Sequence, residues 1–188
     1  RNRYDNGNVE HYDYDPQRAK EILETAGCIM GADGFYEREG ETIGFVISVG
    51  AGDQVRIDMA KAVSWQLREI GIDWSGQMAY LIGWGSPFDA DDHTYKVFGT
   101  NKGANYSGYS NAMVDRYLME ARQSDDPAVR RQAYNRFQEE LAADPAFAFI
   151  CYVDANYTAK SFIKGISSDT VLGHHGVGIF WNVAEWTM

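Results

Sequence analysis

Residues 14–27 read YDPQRAKEILETAG, and this stretch predicts a helix with both of its ends marked. Asp15 stands where an N-cap side chain accepts hydrogen bonds from the first free backbone N–H groups. Pro16 has the fixed φ that suits the first helical residue, and Gly27 allows the left-handed conformation that ends a helix. We therefore expect a short helix over residues 17–26.

Downstream of this helix the pattern alternates between strands and helices. Residues 43–49 predict a strand, and residues 53–70 predict a helix that ends at Gly71. Its expected buried face, with a spacing of three and four, consists of Met59, Ala60, Val63, Leu67 and Ile70. A strand is expected to start at residues 72–73, and residues 78–84 predict a second, mostly buried strand because their apolar run hardly alternates.

Residues 85–111 are rich in Gly, Asn, Asp, Ser and Pro, which favours a loop with a short helix near residues 93–98. Ser110 or Asn111 is expected to cap a helix that buries Val114, Leu118 and Ala121. Asp126-Pro127 starts another helix, which buries Ala133, Phe137 and Leu141. Residues 147–153 and, more weakly, 157–163 predict strands, and residues 179–183 form a terminal apolar segment. The alternation of helices and strands along the chain predicts an α/β layered domain with a central mixed sheet flanked by helices.

Composition excludes some classes of partner. The 188 residues include 17 Lys and Arg against 27 Asp and Glu, a formal net charge of −10 without a basic cluster, so we expect neither nucleic acid nor an anionic membrane as partner. No apolar run is long enough to span a bilayer. Cys28 and Cys151 both lie among apolar neighbours, which favours two buried thiols over a disulfide.

Several short motifs occur in a fixed order after residues 14–27. They are Ile70-Gly71-Ile72, Gly83-Trp84, Tyr109-Ser110-Asn111, Asp125-Asp126 followed by Arg130, and Lys164-Gly165-Ile166. This order resembles the C-terminal half of the peptide and nickel family of extracytoplasmic solute-binding proteins. The resemblance implies that residues 1–188 form a single C-terminal lobe of a periplasmic-binding-protein-like fold, with the segment from about 170 to 188 packing toward the other lobe.

The sequence departs from the family pattern in length. Family members carry roughly a dozen or more residues between the strand after Ile-Gly-Ile and the Gly-Trp strand, whereas here only residues 73–80 intervene. A stretch of chain is therefore expected to be absent at this point.

Residues 84–93 are the first candidate for ligand contact. Aromatic rings offer rigid apolar faces and carboxylates can meet a cationic group, whereas the alternative is a solvated turn with Trp84 in the core. With two tyrosines from the next loop, the expected ligand-binding residues are Trp84, Gly85, Ser86, Phe88, Asp89, Asp91, His93, Tyr106 and Tyr109. Peptide binders of the family often have an acidic residue where Ser86-Pro87-Phe88 stands, so the loop resembles nickel-chelate binders more closely.

Other polar groups carry weaker signals. Asn105 and Asn111 are candidates to line the same cleft, with helix capping as the alternative for Ser110 and Asn111. His174-His175 is expected in a surface loop, and His93 beside its carboxylates is a better metal candidate that still falls short of a predicted site. No residues form a catalytic set, so we expect no enzyme activity, no catalytic residues, no metal site and no cofactor.

The resemblance implies a protein that captures a small solute, a peptide or a nickel chelate, and delivers it to the membrane permease subunits of an ABC importer. We expect a monomer outside the cytoplasm, in a periplasm or anchored by lipid at the outer face of the membrane. The competing hypothesis is a stand-alone protein-interaction domain that uses its Trp- and Tyr-rich loops. A third is an enzyme that uses His174-His175.

Overall fold

The chain divides into two compact units in a computed structural model that describes residues 4–85, 89–152, 157–166 and 178–188. Tyr12–Gly83 forms one unit, and Arg1–His11 together with Trp84–Met188 forms the other. The helices are α1 (Pro16–Thr25), α2 (Gln54–Glu69), α3 (Ala90–Phe98), α4 (Ala112–Arg122) and α5 (Pro127–Ala143). The strands are β1 (Ile29–Met30), β2 (Tyr36–Arg38), β3 (Glu41–Thr42), β4 (Gly44–Ser48) and β5 (Asp73–Tyr80), and a 3₁₀ helix spans Gly178–Glu185.

The helix ends lie where the capping residues predict them. Asp15 accepts a hydrogen bond from the Arg18 N–H at the start of α1, and Asn111 accepts from the N–H groups of Met113 and Val114 at the start of α4. Asp126 caps α5 in the same way, with Pro127 as its first residue. Local hydrogen bonding therefore fixes these boundaries.

Helices α4 and α5 form the core of the larger unit. Val114, Leu118 and Ala121 are 0%, 1% and 0% exposed, which confirms the predicted inner face of α4. The inner face of α5 is confirmed as well, and Tyr4 joins it from the N-terminal segment. The complete cluster is Tyr4, Val114, Tyr117, Leu118, Ala121, Ala133, Tyr134, Phe137 and Leu141.

The N-terminal segment is tied to α5 by hydrogen bonds. The backbone N–H of Asn6 donates to Gln138 Oε1 at 3.1 Å, and Asn6 Nδ2 donates to the carbonyl oxygen of Asn135 at 3.3 Å. Gln138 Nε2 in turn donates to the carbonyl oxygen of Tyr4 at 2.8 Å. These bonds explain why the chain up to His11 belongs to the unit that contains α5.

In the smaller unit, β4, α2 and β5 form a parallel βαβ arrangement. Pairing is regular from Phe45 opposite Gln77 to Ser48 opposite Tyr80, but Gly44 pairs with Asp73, so three residues of β5 bulge out of the ladder. Gly76 has φ +100°, and a Cβ on Gly44 would lie 2.1 Å from the Ser75 carbonyl oxygen. The bulge therefore requires both glycines.

The α/β class is confirmed, but in the described ranges the strands form two small sheets rather than one central sheet. Strands β1, β2 and β3 form an antiparallel meander that the sequence did not predict, and β4 pairs only with β5. The sequence predicts one strand that starts at residues 72–73 and a second over residues 78–84. The structure has a single strand in this region, Asp73–Tyr80. That strand is mostly exposed instead of mostly buried, because in the part of the chain that the structure describes a single helix, α2, supplies most of the packing against this small sheet.

Two further burial predictions need correction. On α2 only Ala60 is buried, and the other predicted inner residues are half-buried, since a two-stranded sheet is too narrow to cover the helix. Cys28 is buried as expected, but Cys151 is exposed because the segment around it leaves the core; neither forms a disulfide.

The C-terminal strand predictions are also wrong where they can be compared. Residues 147–152 and 157–163 contain no strand, although a single bridge joins Lys164 to Thr187. Apolar β-branched and aromatic residues favour a strand only if a partner strand supplies its hydrogen bonds. The terminal apolar segment forms the 3₁₀ helix.

None of the helices in the described ranges has the length and apolar character required to cross a bilayer.

The larger unit is expected to lose stability in alkali. Burial raises the pKa of the Tyr134 phenol, which is 2% exposed, although nearby Arg130 opposes this shift. Because the pKa of this phenol is higher in the folded than in the unfolded protein, the neutral phenol contributes its full share of the free energy of unfolding at pH values below the unfolded pKa, which is about 10. That contribution is lost as the pH rises through the folded pKa. In urea unfolding, Tyr134→Phe should therefore lose less free energy of unfolding between neutral and strongly alkaline pH than the wild type.

The control for this measurement is Tyr152→Phe, because Tyr152 is 100% exposed. This variant should follow the wild-type pH dependence. An identical pH dependence for Tyr134→Phe and wild type would contradict the prediction.

Candidate functional site

The candidate site begins where α3 begins. Asp89 has an extended backbone (φ −112°, ψ 137°) and caps α3 by accepting a hydrogen bond from the Asp91 N–H at 2.9 Å. Asp91 and Asp92 follow in the first turn, where negative charge complements the helix dipole. The carboxylates predicted to meet a ligand thus also stabilise the start of this helix.

Each of these carboxylates faces a cation of the same chain. Arg130 on α5 donates to Asp89 Oδ1 at 2.6 Å, and Arg122 on α4 lies 3.8 Å from Asp91 Oδ2. Lys96 forms an ion pair with Asp92 one turn along α3. A cationic ligand group would have to compete with these cations, so the carboxylates are less suited to bind it than the sequence suggested.

The aromatic residues of the site pack together. The Trp84 indole stacks on the Tyr106 ring with centroids 5.9 Å apart and planes at 18°, and it lies 6.0 Å from the His93 ring. Trp84 is 42% exposed and Tyr106 72% exposed. Trp84 is therefore held by its neighbours without being buried in the core, which was the alternative interpretation.

His93 connects α3 to the residues that follow Trp84. Its Nδ1 lies 2.8 Å from the carbonyl oxygen of Gly85, and the two groups share a hydrogen bond. The rest of the loop to α3 contains Ser86 and Phe88, which lie outside the described residues, as do His174 and His175. Four of the predicted residues, Trp84, Gly85, His93 and Tyr106, are thus brought together.

Asn105 organises the loop that carries Tyr106. Its Nδ2 donates to the carbonyl oxygens of Gly99 at 2.9 Å and Tyr109 at 2.7 Å, while its Oδ1 accepts from the Tyr109 N–H at 3.0 Å. Its amide is thus fully engaged in folding this loop. Asn111 likewise acts as the cap of α4, the alternative considered for it.

Tyr109 differs from Tyr106 in its surroundings. Tyr109 packs against the hydrophobic core, its hydroxyl oxygen is buried, and this burial raises the pKa of its phenol. Of the two predicted tyrosines, only Tyr106 presents most of its ring to solvent.

Two arginines of the site had no role in the sequence interpretation. Arg130 was noted only as part of a family spacing, and Arg122 not at all, because their partners lie 41 and 31 residues earlier in the chain. The capping signal of α5, Asp126-Pro127, gave no information about the pairing of Arg130 with Asp89. Within the described ranges, no three His, Cys, Asp or Glu side chains converge as a metal centre requires.

Comparison with known proteins identifies relatives of this chain. No protein-family model matches it. The oligopeptide-binding protein AppA of Bacillus subtilis is 26% identical over 95% of this chain and 35% of its own length. Protein XP55 of Streptomyces lividans is 30% identical over 80% of this chain and 31% of its own length.

A solved structure is similar in fold over almost the whole chain. The crystal structure of NikZ from Campylobacter jejuni in complex with Ni(L-His) has a TM-score of 0.82 and 32% identity, and the match covers 98% of this chain and 41% of NikZ. The chain therefore spans about a third of the curated relatives that it matches. The chain is thus similar to part of proteins that bind oligopeptides or nickel chelates, which agrees with the family resemblance of its sequence.

Proposed function

We propose that this chain forms one wall of a ligand cleft in a solute-binding protein that delivers a small solute to the permease subunits of an ABC importer. The observation that carries the proposal is the exposed aromatic group of Trp84, Tyr106 and His93. Trp and Tyr have few rotatable bonds, so a preformed pair covers a ligand at low cost in conformational entropy. We infer no catalytic role for these residues.

A nickel chelate is the favoured solute. Asp89, Asp91 and Asp92 are already paired with cations, so no carboxylate of this group is readily available to the α-ammonium of a peptide. The fold is also similar to NikZ, which was solved with Ni(L-His). In such a complex, Trp84 and Tyr106 would cover the apolar and imidazole parts of the chelate. A peptide is the second candidate because AppA is an oligopeptide-binding protein.

The rest of the protein supplies the opposite wall in this proposal. Residues 1–188 form a C-terminal lobe, and a hinge motion closes the other lobe over the ligand. The closed monomer then presents the solute to the permease outside the cytoplasm, either free in a periplasm or held by lipid. The 188 residues alone should bind weakly, because a single wall leaves the ligand in contact with water.

Isothermal titration of the full-length protein tests this proposal. We expect the nickel–histidine chelate to bind with a micromolar or tighter Kd, on the order of −8 kcal/mol, and uncomplexed Ni²⁺ to bind more weakly. Peptides of two to nine residues are titrated in the second arm of the experiment. If a peptide binds more tightly than the nickel–histidine chelate, the site is assigned to peptides. Failure to bind any of these solutes would contradict solute capture and favour the stand-alone interaction domain.

A further inference from the structure

Arg130 makes a partly buried ion pair that joins α5 to α3. Its Nη2 lies 2.6 Å from Asp89 Oδ1, and its side chain is only 17% exposed. The cations of the other ion pairs in the described ranges are 38% or more exposed. The Asp89 side chain is 46% exposed, so the pair is shielded from water on the Arg130 side, and a charge-assisted bond with one shielded partner is stronger and more directional than a pair between two exposed side chains.

The guanidinium of Arg130 is itself held by two buried tyrosines. Its Cζ lies 5.6 Å from the Tyr4 ring centroid and 5.8 Å from that of Tyr134. These two rings pack against each other with centroids 4.9 Å apart and are 5% and 2% exposed. Arg130 therefore occupies a position fixed by the hydrophobic core.

Asp89 connects Arg130 to the aromatic group of Trp84, Tyr106 and His93. The oxygen that accepts from Arg130, Oδ1, also accepts the Asp91 N–H that begins α3. His93 follows Asp89 by four residues, about one helical turn. Its ring lies against Trp84, and its Nδ1 contacts the Gly85 carbonyl oxygen.

We propose that Arg130 is a positioning residue of the candidate ligand site: through Asp89 it fixes the start of α3 and thereby the orientation of His93 against Trp84. Arg130 itself touches no ligand in this arrangement. The part of the proposal that concerns affinity rests on the proposed function, whereas the part that concerns His93 does not.

The orientation of His93 is tested without ligand by NMR of the full-length protein with labelled His and Trp. Arg130→Met removes the charge, and Asp89→Asn keeps a good N-cap while weakening the ion pair. Both variants should shift the His93 ring resonances and weaken the cross-peaks between the His93 and Trp84 rings. Arg130→Lys should restore them in part. The double variant should be no worse than the single ones if Arg130 acts through Asp89.

The control is Arg116→Met, which breaks an exposed ion pair with Glu120 on α4 at 2.8 Å. It should leave the His93 signals unchanged. If Arg130→Met does not fold, Asp89→Asn decides the question. Unchanged His93 signals in the folded variants, or equal changes in Arg116→Met, would overturn the proposal.

Affinity for the nickel–histidine chelate provides the second readout. If the full-length protein binds it, Arg130→Met and Asp89→Asn should each weaken binding about tenfold, the lower end of the loss seen when a partner that orients a metal-binding side chain is removed. Altered His93 signals with unaltered affinity would overturn the positioning role. If the wild type binds no solute, the proposed function fails and the NMR result alone decides whether Arg130 orients His93.

Discussion

Replacing Phe137 with alanine is expected to lower the free energy of unfolding by about 3–5 kcal/mol. Phe137 is 4% exposed on α5, and its ring packs 5.3 Å from that of Phe98 at the end of α3. Truncation removes the apolar surface that fills the space between these helices and leaves a cavity, because the helices cannot close around it completely. Urea unfolding followed by circular dichroism measures the change.

Phe149→Ala is the matched control for this substitution. Phe149 also lies near Phe98, with ring centroids 6.4 Å apart, but it is 66% exposed. Its truncation should cost well under half as much, because most of the ring already contacts water. Equal losses in the two variants would mean that α4 and α5 do not form the dominant core.

Replacing Trp84 with alanine is expected to weaken binding of the nickel–histidine chelate by the full-length protein at least about 30-fold. That factor corresponds to a loss of about 2 kcal/mol, typical of a central aromatic contact. The substitution removes the ring that stacks on Tyr106 and packs against His93, while its exposure means that the fold should lose little stability. Isothermal titration gives the affinity, and thermal unfolding checks the fold.

Trp65→Ala is the control, since Trp65 is a 59% exposed tryptophan on α2 of the other unit. It should bind the chelate as the wild type does. Equal affinity of Trp84→Ala and wild type would remove Trp84 from the site. If Trp84→Ala instead loses a protein partner and the wild type ignores all solutes, the interaction-domain hypothesis is supported.

The helices were predictable because their signals are local. Asp15, Asn111 and Asp126 each accept hydrogen bonds from N–H groups two or three residues away, so capping and periodicity suffice to place α1, α4 and α5. The buried positions of α4 and α5 follow from the same spacing.

The strands were less predictable because pairing depends on distant residues. Residues 147–152 have strand-like composition but no strand in the structure, and the exposed Phe149 and Ile150 reflect this. The two-residue strand Ile29–Met30 pairs with β2, and its sequence is too short to carry a period. Whether each segment forms a strand depends on whether another strand lies beside it to pair with, and the composition of the segment does not encode this.

The candidate site was predictable only in part. Trp84 and His93 lie nine residues apart, and the sequence placed them in one group that the structure brings into contact. The pairing of Asp89 with Arg130 spans 41 residues and depends on how α3 packs against α5. Sequence chemistry therefore suggested the groups that we propose to contact a ligand, whereas tertiary packing determines which charged side chains remain unpaired within the chain.

The three residues that bulge from β5 make this strand a natural point for variation in chain length. Asp73 pairs with Gly44 and Gln77 pairs with Phe45, so the three residues between them form no pair with β4. A longer segment that left from Asp73 and returned at Gln77 would keep both sets of pairs. Insertion at this point should thus be better tolerated than insertion one turn into α2.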